Sequence, residues 1–146
     1  MKLNLPKERH ALTAKEHKKY QSLTNLIVAL NEKDLTEEFI SQGNAEIAAL
    51  DKIDDSNPSL SKAIKKTHAK IYNRAVSKLK YVSKGYYTAL WMSLGMAMFG
   101  IPFGTVFGIV LDSMAFLSIG LPIGLGIGLA IGASMDKKAE SEGRVI

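Results

Sequence analysis

A chain of 146 residues with 47% hydrophobic and 23% charged residues is average in composition, but its charges are unevenly placed. No charged side chain lies between Tyr86 and Leu111 or between Ser113 and Met135, and only Asp112 separates these two stretches. Uncharged apolar runs of at least about 18 residues are typical of transmembrane helices. The distribution excludes a soluble globular protein and most classes of enzyme. The absence of cysteine excludes disulfides and thiolate metal sites.

The first 85 residues carry the pattern of three amphipathic helices. Thr13-Ala-Lys-Glu16 has the spacing of a capping box and predicts a helix reaching about Leu30. Asp34-Leu-Thr-Glu37 repeats that spacing and predicts a second helix to about Ile53. A third helix is predicted from about Ser59. Its apolar stripe consists of Leu60, Ile64, Ile71, Ala75, Leu79 and Val82.

Together these helices predict a small cytoplasmic bundle over residues 1–85, with the third helix running towards the membrane and Gly85 as the joint. Residues on the third helix recur every four positions as a basic stripe: Lys62, Lys66, Lys70, Arg74 and Lys78. With Lys84 they are predicted to contact anionic lipid headgroups, which attract each basic group by about 1 kcal/mol near the surface. The alternative is a solvated stripe, or one paired with the acidic helices. Nucleic-acid binding is a weaker hypothesis, since no recognised motif accompanies the stripe.

The basic residues also predict the orientation of the spans, which are expected at about residues 87–111 and 115–135 of a hairpin covering 86–135. Basic residues flank both outer ends of the pair, and the connector holds only Asp112. By the positive-inside rule, both termini, including a tail at residues 136–146, are predicted to be cytoplasmic. Pro6 lies where a signal peptide needs its apolar region, so insertion through the spans themselves is expected.

Small residues predict how the spans pack. Gly120, Gly124, Gly128 and Gly132 recur every four residues in the second span, and so do Pro122, Gly126, Ala130 and Ser134. The two rows are offset by about 200° around the helix. The row that begins at Gly120 is predicted to pack on the first span, and Gly126, Ala130 and Ser134 of the other row are predicted to pack on a second copy of the chain. The alternative is that the second row reflects composition alone.

The first span offers a matching stripe of Ala89, Ser93, Ala97, Gly100, Gly104 and Gly108, and both prolines, Pro102 and Pro122, are predicted to kink their helices. Large and small residues alternate strictly from Ile119 to Ile131, but a single strand cannot satisfy its backbone in lipid, so a helix is favoured. The segment Gly100–Gly108 also resembles Gly120–Gly128. That similarity is either an inverted repeat in space or coincidence.

Residues 86–146 resemble the small bacterial glycine-zipper membrane proteins. The resemblance is carried by the Gly rows, by the Asp at the turn and by the tail from Asp136-Lys-Lys-Ala to Glu-Gly-Arg-Val-Ile146. It implies a bacterial inner-membrane location and a two-span hairpin. Most members of that family have no assigned function, so the resemblance implies no activity.

Catalytic chemistry is not expected. No nucleophile elbow, phosphate loop or metalloprotease motif occurs, and no catalytic residue, cofactor or metal is predicted. His10 and His17 lack a third ligand, and His68 is more consistent with packing.

The fold class predicted is therefore all-α, a three-helix domain followed by a transmembrane hairpin. The leading hypothesis for function is a self-associating hairpin acting as an oligomeric membrane unit, with a pore as one form. The alternative is an accessory or scaffold subunit of a larger membrane complex, and a membrane tether for nucleic acid ranks third.

Overall fold

The computed structural model describes residues 2–10, 12–113 and 115–146, without the side chains of Phe116 and Leu117. Within those residues it is helical, and its one extended pairing is an isolated bridge between Val82 and Val145. The chain divides into two compact units, one comprising the residues up to Tyr81 together with Ile146, and the other Val82–Val145. The predicted all-α class is confirmed.

The first unit contains helices α1 (Ala14–Asn31), α2 (Glu37–Asp51) and α3 (Leu60–Arg74), and a π-helical turn at Ala75–Leu79 extends α3. Each α-helix buries one apolar face in a shared cluster. Leu23, Ile27, Leu30, Leu60, Ile64, Ile71 and Ala75 are fully buried within it, together with Ile47 and Leu50 from α2.

The capping box predicted at Thr13 is confirmed, because Thr13 and Glu16 accept from each other's backbone amides. These bonds hold the pKa of Glu16 below its usual value, the side-chain bond from Thr13 having the largest effect. The cap predicted at Asp34 is wrong. Thr36 caps α2 instead, accepting from the amide of Phe39, because its hydroxyl stands at the N-cap position of the helix that begins at Glu37.

The third helix is shorter than its apolar stripe predicts. It ends at Leu79 because Lys80 adopts a left-handed conformation with φ of 60°. Val82 is buried, but it lies beyond the helix in the bridge to Val145, so its assignment to the helical stripe is wrong.

The extended N-terminal segment is part of the first unit's core. Leu3 is buried, and its amide and carbonyl both bond to the Asn31 side chain at 2.8 and 3.0 Å. The Arg9 side chain is completely buried, donating to the carbonyls of Leu50 and Ile53 and pairing with Asp55. The last carbonyls of a helix have no partner within the helix, so the Arg9 side chain caps the C-terminal end of α2.

The second unit contains α4 (Tyr86–Gly95), a π-helical turn (Met96–Gly100), α5 (Ile101–Val110) and α6 (Phe116–Ser141). Two continuous helical stretches, Tyr86–Val110 and Ser118–Ser141, are long and apolar enough to cross a membrane. Only 22% of an 18-residue apolar stretch in each helix is buried within the chain. A core helix of a soluble protein would be mostly buried, so these surfaces suit lipid better than water.

Candidate functional site

The glycine row Gly120, Gly124, Gly128 and Gly132 of α6 lies directly against the backbone of the preceding helix. A Cβ added to Gly128 would lie 2.7 Å from the carbonyl carbon of Trp91, and one on Gly132 would lie 2.5 Å from the Cα of Thr88. Real Cβ atoms essentially never approach another atom within 3.0 Å. Only a hydrogen atom fits at these positions, as in small-residue packing of membrane helices.

The opposing surface includes Gly95, Gly100 and Gly104, which are buried, and Gly108 further along the same helix is buried as well. A Cβ on Gly95 would lie 2.8 Å from the Cα of Gly128, and one on Gly100 would lie 3.2 Å from the carbonyl oxygen of Gly120. The stripe predicted for the N-terminal half of this span is wrong, since Ala89, Ser93 and Ala97 are exposed.

The π-helical turn explains that error. Two residues five positions apart lie about 140° from each other on a regular α-helix, but a wider turn brings them towards one face. Gly95 and Gly100 are related in this way across Met96–Gly100, where the amide of Ile101 bonds to the carbonyl of Met96.

Pro102 stands just after this turn, and a proline cannot donate to the carbonyl four residues earlier. The distortion expected there takes the form of the wide turn, whereas α6 continues as an α-helix through Pro122.

The opposite row of α6 is open. A Cβ on Gly126 would meet nothing within 4 Å, and Gly126, Ala130 and Ser134 are all exposed. We call these three residues the outer row. One small-residue face of α6 is therefore packed against the backbone of the preceding helix. The outer row has no such backbone contact within the described residues.

Asp136 near the C-terminal end of α6 holds the N-terminus of α4. Its two carboxylate oxygens accept from the amides of Tyr87 and Thr88 at 3.0 and 2.9 Å. The first amides of a helix have no partner within it, and the N-cap residue Gly85 offers no side chain. This bond was not predicted from the sequence. The signal available was an acidic residue directly following the second span.

The C-terminal tail folds back beside Asp136. Gly143 is left-handed, with φ of 66°, and the amides of Gly143 and Arg144 bond to the carbonyls of Glu140 and Ala139. This Schellman motif reverses the chain, so that the carbonyl of Arg144 accepts from Val82 at 3.0 Å. We call the bonds that Asp136 and the Arg144 carbonyl accept from residues 82–88, together with the turn at Gly143 and Arg144, the tail clasp.

Arg144 and Glu142 form an ion pair within the clasp, with 2.6 Å between Nε and Oε2. Bonds to the Glu142 carboxylate and to Tyr87 raise the pKa of the guanidinium.

The turn between the spans centres on Asp112. It is left-handed, with φ of 46°, and the amide of Ser113 bonds to the carbonyl of Gly108 at 2.9 Å. A short polar side chain tolerates this conformation better than most residues do.

Some residues of the basic stripe on α3 pair with an acidic side chain of the protein, and the others are exposed to solvent. Lys70 bonds to both oxygens of the Glu46 carboxylate, at 2.9 and 2.8 Å, and Arg74 lies 3.9 Å from the same group. The two residues at the α2 side of the stripe therefore pair with an acidic helix, as the alternative hypothesis expected. The remaining members of the stripe, Lys62, Lys66 and Lys78, are exposed, and so is Lys84, which lies beyond the end of the helix.

Within the part of the chain that the structure describes, no three potential ligands lie close enough to hold a metal ion. His68 is half-buried, and its Nε2 lies 3.4 Å from the hydroxyl of Ser22. Burial lowers the pKa of His68.

Comparison with known proteins identifies no relative: no family model, no curated protein and no solved structure matches the chain. Hypotheses about function therefore rest on the residues and their geometry.

Proposed function

We propose that the chain is a non-enzymatic integral membrane protein whose helical hairpin self-associates into an oligomeric membrane unit, with a regulatory helical domain in the cytoplasm. The observation that carries the proposal is the asymmetry of α6. One row of small residues is packed to backbone contact within the chain, and the outer row is unoccupied.

Self-association follows from how helices interact in lipid. Lipid tails are as apolar as leucine, so helices associate through close packing of small residues rather than through apolar burial. The outer row offers that geometry at Gly126, because a glycine has no Cβ to hold the backbone of a second helix away and this position is open in the chain. A second copy of the chain is the partner present at equal concentration, which favours a homo-oligomer over a complex with another protein.

The location proposed is the bacterial inner membrane, with both termini in the cytoplasm. The basic flanks support this orientation, and Asp112 at the turn would lie on the opposite side. The exposed lysines Lys62, Lys66, Lys78 and Lys84 would contact anionic headgroups, whereas Lys70 and Arg74 are engaged by Glu46.

A pore is the activity that an oligomer of this hairpin would support most directly. Ser93 and Thr105 are exposed, and their hydroxyls donate to carbonyls of their own helix, leaving oxygen lone pairs available to a permeant solute. Hydroxyl groups carry no charge, and no ring of charged side chains would line the passage. Weak selectivity among solutes is therefore predicted.

Release of dyes of graded size from vesicles containing the purified chain tests this proposal. Wild type should release small dyes, and Gly126→Leu should reduce release because the outer row can no longer pack closely. Val106→Leu, an enlargement at an exposed position of α5, is the matched control and should behave as wild type. No release by wild type would refute the pore, and equal release by the Gly126 variant would refute the role of the outer row.

A further inference from the structure

A groove between α1 and α3 in the first unit gathers cationic and hydrogen-bonding side chains. It has a volume of about 260 Å³ and is lined by Lys18, Lys19, Ser22, Lys65 and His68. Three lysines therefore surround one concavity, and none of the lining residues is acidic. Like charges brought together in this way repel one another, which favours occupation by an anion.

The charges of these lysines are not neutralised by the protein. Arg9, Lys70, Arg74, Lys138 and Arg144 form ion pairs elsewhere in the described residues, whereas Lys18, Lys19 and Lys65 form none there. Glu16 influences Lys19 electrostatically, but its carboxylate is bonded to Thr13 at the start of α1 and does not line the groove.

Two contacts position the groove's polar groups. Lys19 donates to the Ser61 hydroxyl at 2.6 Å, which fixes its ammonium group between the two helices. Ser22 and His68 are 3.4 Å apart, so a hydroxyl and an imidazole stand side by side on opposite walls. Packing of α1 on α3 through the buried residues Leu23, Ile27 and Ile64 holds the two walls together.

We propose that this groove binds the phosphomonoester of a small phosphorylated ligand. A phosphomonoester carries nearly two negative charges and three acceptor oxygens, which three ammonium groups and a hydroxyl can satisfy together. Lysine binds phosphate as a point charge without a required planar geometry. The volume lies just below the range of about 300–1,000 Å³ typical of ligand pockets, which limits the ligand to a small molecule or a lipid headgroup. The site lies outside the hairpin and does not depend on its self-association.

The test uses the full chain in phosphatidylcholine nanodiscs and follows the imidazole resonances of His68 during titration with inorganic phosphate. We expect a saturable shift at His68 and none at His10, which does not line the groove. Sodium chloride at matched ionic strength should produce no saturable shift.

Variants locate the site. Lys65→Gln should weaken phosphate binding by up to about five-fold, as expected for loss of one exposed charge contact. The double variant Lys18→Gln/Lys65→Gln should weaken it by up to about 25-fold if the two contributions add. Lys52→Gln, an equal loss of charge at the exposed end of α2, should bind as wild type.

The source of the phosphomonoester is distinguished by two further samples. A shift with glycerol phosphate would identify a soluble ligand, and a shift in nanodiscs containing phosphatidic acid without added phosphate would identify a lipid headgroup; either supports the site. Absence of a saturable shift with every phosphate probe, or an equal response from the double variant in a chain of unchanged helicity, would overturn it.

Discussion

Enlarging Gly128 should destabilise the hairpin far more than enlarging Gly126. A Cβ at Gly128 would lie 2.7 Å from the carbonyl carbon of Trp91 and 2.9 Å from the Cα of Met92, whereas ordinary contacts are 3.4–4 Å. Both neighbours are backbone atoms, so no rotamer change relieves the overlap. The two helices must separate, and their contact at Gly124 and Gly132 must loosen with them.

The magnitude follows from comparing two alanine variants of the same helix. Gly→Ala raises helix propensity by about 1 kcal/mol at either position, so this contribution cancels between them. The remaining difference is the cost of overpacking at Gly128, about 1–3 kcal/mol. A leucine at Gly128 should prevent the hairpin from closing and lower its cellular abundance.

The assay is reversible unfolding of each variant in mixed detergent micelles with increasing sodium dodecyl sulfate. It is run at a low protein-to-detergent ratio, so that association between chains does not contribute. Gly128→Ala should unfold at lower denaturant than Gly126→Ala. Equal midpoints, or a lower midpoint for the Gly126 variant, would refute the assignment of the inner face of α6.

Three further predictions concern other parts of the chain. In the cysteine-free chain, cysteines at Ser56 and Ser141 should be shielded from an impermeant thiol reagent in intact cells and one at Ser113 should react; labelling of either terminal site from outside would contradict the proposed orientation. Arg9→Met should lower the free energy of unfolding by about 3 kcal/mol in chemical denaturation, because Asp55 and the carbonyls of Leu50 and Ile53 lose a buried partner. Lys7→Met, at an exposed position, should have little effect. Equal losses in the two variants would refute the role of Arg9 in holding the end of α2. Burial lowers the pKa of His68 below the unfolded value of 6.5, so the unfolded state binds the proton more tightly. The free energy of unfolding should therefore fall as the pH drops through 6.5 towards the folded pKa in phosphate-free buffer. His68→Asn should remove that component, and an unchanged dependence of the free energy of unfolding on pH would contradict the prediction.

Sequence patterns predicted the elements that depend on residues close to one another in the chain. The Thr13 capping box sets the start of α1 through residues three apart, and the long uncharged stretches are visible as composition. The glycine spacing in α6 is also regular, because that helix has no wide turn.

Features that depend on distant residues were not predictable in the same way. Arg9 reaches the end of α2 from more than forty residues away, and Asp136 caps a helix that starts fifty residues earlier in the chain. The stripe assigned to Ala89, Ser93 and Ala97 failed for another reason. It assumed 3.6 residues per turn, and the wide turn before Pro102 changes which residues share a face.

The size of the wild-type chain, purified alone in mild detergent, tests the central proposal most directly. Sedimentation equilibrium with the detergent density-matched reports protein mass, to be compared with 15.9 kDa for one chain. Self-association through the outer row predicts a mass of several chains that decreases on dilution, and a shift towards the mass of one chain in Gly126→Leu. A wild-type protein of 15.9 kDa at every concentration would contradict self-association and would favour an accessory subunit that docks on a different membrane protein.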